Sequence, residues 1–100
     1  MTGVIGAYAR VSDGIVYILE HDQGRYQTVR VDRDEEGEHT YLEWQLVPWT
    51  PVPGERVVES GEDDCTGVIL ETGEGNSLVR WAGFIEPQIW RHTQLEPAWS

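Results

Sequence analysis

One hundred residues suffice for one ordinary domain or two very small ones, and 39% apolar content with five Trp and four Tyr can build a core without disulfide or metal. Eighteen Asp and Glu stand against seven Arg and no Lys, a formal net charge of −11, which opposes nucleic-acid phosphates and, without a basic patch, excludes direct nucleic-acid binding. The lone Cys65 excludes an internal disulfide, and with no leader-like start and no run of membrane-spanning length we expect a cytoplasmic protein with no membrane association.

In chain order, Gly14–Leu19 is rich in β-branched residues, Asp22-Gln23-Gly24 is a turn signal, and Tyr26–Val31 alternates with a two-residue period. These predict a hairpin. Asp32, Asp34, Glu35, Glu36 and Glu38 then fall in one long acidic hairpin loop, and Glu43–Leu46 fits a single helical turn before a last short strand. Thr50-Pro51-Val52-Pro53-Gly54 is extended and stiff, because its prolines forbid helix. We place a boundary there, giving units 1–50 and 51–100. The second half repeats the plan. Glu59, Glu62, Asp63 and Asp64 form its first loop, Val68–Leu70 and Leu78–Trp81 read as strands around the turn Gly73-Glu74-Gly75-Asn76, and Arg91–Leu95 offers a single helical turn.

Four blocks recur in order. Arg10-Val11 after Gly6 answers Arg56-Val57 after Gly54, and Gly14–Glu20 answers Gly67–Glu71. Val29-Arg30-Val31 answers Val79-Arg80-Trp81 at a shift of fifty, and Gln45–Trp49 answers Gln94–Trp99 at a shift near forty-nine. By this register Val31 and Trp81 are equivalent and both face a core. The acids are shared evenly as well: residues 1–50 hold nine acids and four Arg, residues 51–100 nine acids and three Arg. Copies near fifty residues sit at the lower limit for a self-sufficient core, so the halves are expected to depend on each other.

Strand, hairpin, strand, hairpin, strand, single helical turn, strand is the layout of an SH3-like barrel. The run Pro53-Gly54-Glu55-Arg56-Val57, Thr66–Glu71, Leu78–Trp81, Ile89-Trp90 and Leu95-Glu96-Pro97 resembles the Tudor-like branch of these barrels, and Ala9–Tyr17 resembles the opening strands of a Tudor domain. The resemblance implies an all-β chain of two tandem five-stranded SH3-like (Tudor-like) barrels, with a single-turn 3-10 helix before the last strand of each. It also implies peptide binding, often of a methylated Lys or Arg in an aromatic cage. Candidate cage walls are Tyr8, Tyr17 and Tyr41 in the first copy and Trp81, Phe84 and Trp90 in the second. A local stretch, Gln88-Ile89-Trp90, is similar to the pore strand of plasmid-type (type II) dihydrofolate reductases, with Pro87 and Trp90 departing from that motif and no Lys beside it.

The remaining chemistry is sparse. His21, His39 and His92 are isolated from one another, and Asp63 and Asp64 beside Cys65 disfavour its thiolate. Gly73-Glu74-Gly75 carries an acid where a phosphate would sit. The acidic loops lack the spacing of a calcium loop. We therefore expect no catalytic set, no metal and no cofactor, and a non-catalytic protein-binding module or adaptor. Tyr41, Trp44 and Trp90 are its candidate binding aromatics. Asp34, Glu35, Glu36, Asp63 and Asp64 are its candidate acidic face toward a protein partner, which the charge suggests is basic. The rival readings are an acidic DNA mimic that inhibits a nucleic-acid-binding protein, and a reductase-like barrel oligomer taking a small ligand.

Overall fold

The computed structural model describes residues 5–62 and 64–100. Ten strands form two five-stranded antiparallel sheets, and two single 3-10 turns are the sole helical elements among the described residues. The first sheet contains β1 (Tyr8–Val11), β2 (Gly14–Asp22), β3 (Arg25–Arg30), β4 (Glu38–Leu42) and β5 (Val47–Pro48), in the order β4-β3-β2-β1-β5. The second contains β6 (Arg56–Glu59), β7 (Thr66–Thr72), β8 (Asn76–Trp81), β9 (Gln88–Arg91) and β10 (Leu95–Pro97), in the order β10-β6-β7-β8-β9. Both sheets follow one plan: a four-strand meander, a 3-10 turn, and a last strand returning to the first. Both are open, with β4 and β5 or β9 and β10 at the edges. The chain groups into two compact units, Met1–Trp49 with Trp99–Ser100, and Thr50–Ala98.

Local chemistry accounts for the elements. Between β2 and β3 the two-residue loop Gln23-Gly24 has φ of 50° and 77°, the positive values that a type I′ turn needs to match strand twist. Alternation then buries Tyr26, Thr28 and Arg30 on one face of β3, and Ser77, Val79 and Trp81 on one face of β8. Leu19 and Leu70 fall at matching register shifts, between Ile18 and Glu20 and between Ile69 and Glu71. Each 3-10 turn is held by a glutamine at its end: Gln45 Oε1 accepts from the Leu42 amide at 2.8 Å, and Gln94 Oε1 accepts from the Arg91 amide at 3.1 Å. The core of the first unit is Ala9, Val11, Val16, Ile18, Tyr26 and Leu46, with Tyr41 packed against it. In the second, Val57, Ile69, Val79, Trp81 and Leu95 are buried.

Backbone hydrogen bonds align the two sheets residue by residue. The Gly6 amide donates to Ile18 as Gly54 donates to Ile69; Val31 donates to Ile15 as Ala82 donates to Thr66; Glu43 donates to Gly24 as His92 donates to Gly75. Ile18 therefore corresponds to Ile69, Arg30 to Trp81, and Val31 to Ala82. Tyr41 corresponds to Trp90, since each faces the second residue of its neighbouring strand, Tyr26 or Ser77. This corrects the register read from the sequence, which set Val31 against Trp81 and Arg10 against Arg56. Paired with Val16 and Gly67 respectively, Ala9 and Val57 are the equivalent residues of β1 and β6. The physical reason is the first loop, Ser12-Asp13 in one unit and residues 60–65 in the other. Chance Arg-Val and Val-Arg identities on either side of that length difference set β1 against β6 two residues out of phase, which keeps the faces, and β3 against β8 one residue out, which in a strand exchanges them.

Candidate functional site

The second unit gathers aromatic and acidic side chains from four places along its chain. β6 ends at Glu59, and a turn in which the Glu62 amide donates to the Glu59 carbonyl at 2.9 Å places Glu62 nearby. Asp64 and Cys65 lead into β7. Trp81 ends β8, and Phe84 follows in a turn closed by its amide on the Trp81 carbonyl at 3.1 Å. Gln88 and Trp90 come from the edge strand β9. Together these eight residues line a cavity of about 150 Å³.

Its walls have distinct physical roles. Trp81 is the floor, 5% exposed, and its indole meets that of Trp90 edge-on, with centroids 5.0 Å apart at 61°. The Trp90 Nε1–H donates to Gln88 Oε1 at 3.1 Å, which orients the ring on the edge strand. Phe84, 56% exposed, is the open lip. Gly67 pairs across the strands with Trp81, and a Cβ there would lie 2.6 Å from Val79 Cγ1 and 2.9 Å from Trp81 Cε3. Only glycine leaves the indole its place. Among the described residues the lining holds three carboxylates and no cation; Arg80, the arginine of β8, alternates to the other face and donates to the Ile85 carbonyl at 2.9 Å. Aromatic faces with carboxylates at the rim attract a cation that also has apolar surface.

The first unit builds the corresponding place differently. Arg30, 6% exposed, stands where Trp81 stands, and its Nη2 donates to both Asp13 carboxylate oxygens at 3.2 and 3.3 Å and to the Tyr41 hydroxyl at 3.4 Å. Asp32 lies 3.7 Å from Arg30 Nη1 and accepts from the Ile15 amide. Arg33, at the position of Phe84, donates to the Asp13 carbonyl. The Arg30 hydrogen bond holds the Asp13 carboxyl below its ordinary pKa. Burial pulls the Arg30 pKa down, but Asp13, Tyr41 and Asp32 outweigh it and the net shift is upward.

The residues singled out in the sequence are dispersed. Tyr41 and the 79%-exposed Trp44 line a groove of the first unit with Arg10, Val11, Ser12, Gln45 and Val47, which carries an arginine and no acid. Trp90 and Asp64 line the cavity of the second unit. Asp34, Glu35 and Glu36 are exposed on the β3–β4 loop, where Glu35 pairs with His39 at 3.0 Å. Asp63 lies outside the described residues. Of the two possible cages, Trp81, Phe84 and Trp90 do converge. Tyr8 and Tyr17 instead cluster with Trp99, and Tyr41 turns to Arg30. Glu59 and Glu62, which the sequence places in the first loop of the second copy, line the cavity, and Glu59 is the last residue of β6. The signal for Glu62 is the longer first loop of the second copy; Glu59 stands where the first unit has Val11, and no signal in the sequence marks it.

Neither protein-family models nor curated proteins give a match to this chain.

Proposed function

We propose that this chain is a non-catalytic protein-binding module made of two Tudor-like small barrels, and that the second seats a cationic side chain of a basic protein segment. One observation carries the reading: Trp81, Phe84 and Trp90 converge on a cavity whose rim bears Glu59, Glu62 and Asp64 and whose lining, among the described residues, has no cation. The ring faces supply contact area and cation–π attraction, and the acids steer and orient the charge. The strand order and the paired 3-10 turns support the barrel reading. The net charge of −11 favours basic partners over the whole surface.

The test is capture of basic proteins from a lysate by the immobilised full chain, quantified on one recovered partner by calorimetry. Trp90→Ala is expected to weaken that partner at least about thirtyfold, as loss of a central aromatic anchor does. Binding that ignores Trp90→Ala yet collapses with salt would instead make the chain an acidic mimic of a nucleic-acid backbone.

A further inference from the structure

The two units hold one position in opposite states. In the first, the Arg30 guanidinium is buried against Asp13, with Asp32 and the Tyr41 hydroxyl beside it, and Arg33 closes over Asp13. In the second, Trp81 and Phe84 replace the two arginines and Trp90 replaces Tyr41. Counting back from the start of β7, Asp64 keeps the place of Asp13. The exchange removes both positive charges and leaves a carboxylate behind, to which the longer loop adds Glu62 and the end of β6 adds Glu59, where the first unit has Val11.

Resting on the binding reading above, we infer that the cavity of the second unit is selective for the guanidinium of a partner's arginine, the group that the first unit supplies from its own chain. The first unit is the self-occupied form of the same site and takes no such ligand. A guanidinium is planar and weakly hydrated, so it stacks on Trp and Phe faces while its edge N–H groups reach carboxylates; an ammonium is a compact, strongly hydrated charge that does neither as well. The swap is matched underneath: the cross-strand pair Val16–Arg30 of the first unit becomes Gly67–Trp81 in the second, making room for the larger ring.

The experiment titrates the full, isotope-labelled chain with N-acetyl-arginine amide and with N-acetyl-lysine amide at equal ionic strength, following the indole N–H signals by NMR. The arginine probe is expected to move Trp81 and Trp90 at about tenfold lower concentration than the lysine probe, and to leave the Arg30 and Tyr41 signals in place. The double variant Gly67→Val/Trp81→Arg installs the first unit's own pair and is expected to abolish the response at Trp90. Should that variant not fold, Asp64→Asn alone, at an exposed position, is expected to weaken the arginine response about fivefold or more. Equal responses to the two probes overturn the guanidinium assignment while leaving cation binding standing. Silence toward both overturns the two readings together, and movement of Arg30 overturns self-occupation.

Discussion

At the scale of single residues, the buried arginine of the first unit sets the clearest expectations. Arg30 Nε and Nη1 have no hydrogen-bond partner, so its fork is only partly satisfied. A buried guanidinium whose main partner, Asp13, is itself exposed adds little net stability over an apolar replacement, whereas removing Asp13 leaves the buried charge with the more distant Asp32. Arg30→Met is therefore expected to be neutral or stabilising by about 1 kcal/mol, while Asp13→Asn is destabilising; urea unfolding at neutral pH distinguishes them. The acid limb has a definite sign. Because the Arg30 hydrogen bond depresses the Asp13 pKa in the folded state, the contribution of Asp13 is complete above its unfolded value of about 3.9 and fades as pH falls through the lower folded value. The stability difference between wild type and Asp13→Asn should thus be constant from neutral pH down to about 5 and shrink below about 4. A difference that instead grew on acidification would show that Asp13 is not the partner of Arg30.

At the scale of elements, paired exchanges between the two sheets show how the same strands host different interiors. Tyr26 hydrogen-bonds Glu43 at 3.2 Å, and the equivalent Ser77 meets His92 at 2.7 Å, so β3 and β8 are each tied to the 3-10 turn by a hydroxyl, with the partner changed to suit. Val16–Arg30 against Gly67–Trp81 is the second such exchange. Gly67→Val alone should overpack the floor of the cavity, cost about 1–3 kcal/mol and shift the Trp emission. Adding Trp81→Arg should recover part of that loss, and a double variant no more stable than the single one would refute the coupling. Most strands, the turn at Gln23-Gly24 and both 3-10 turns were legible because glycine position, two-residue alternation and the recurring Gln-Leu pair are local signals; the return of β5 to β1 and of β10 to β6 is a long-range pairing that those signals do not carry. The cavity was only half legible. Trp81, Phe84 and Trp90 stood out by type, but their convergence depends on a register that the unequal first loops conceal. Nothing in the letters around Val79-Arg80-Trp81 shows that Trp81, rather than Arg80, answers Arg30.

Over the whole molecule the charge acts on folding and on binding with opposite signs. Eighteen acids against seven arginines repel one another in the compact state. Arg30 with Asp13 and Asp32, and His39 with Glu35, set attraction against part of that repulsion, but eighteen acids outnumber seven arginines and leave repulsion in excess. Raising salt from about 0.01 M to about 0.1 M shortens the screening length from about 30 Å to about 10 Å. The free protein should therefore melt a few degrees higher in the saltier buffer, which thermal scans by circular dichroism read directly. Association with a basic partner, drawn in by that same field, should slow and weaken over the same range, while the share held by the aromatic cavity persists because ring contact is insensitive to screening. A melting temperature that fell with salt would mean that favourable ion pairs dominate the folded state. The acids would then be part of the framework, and the negative surface could no longer be regarded as held in reserve for a partner.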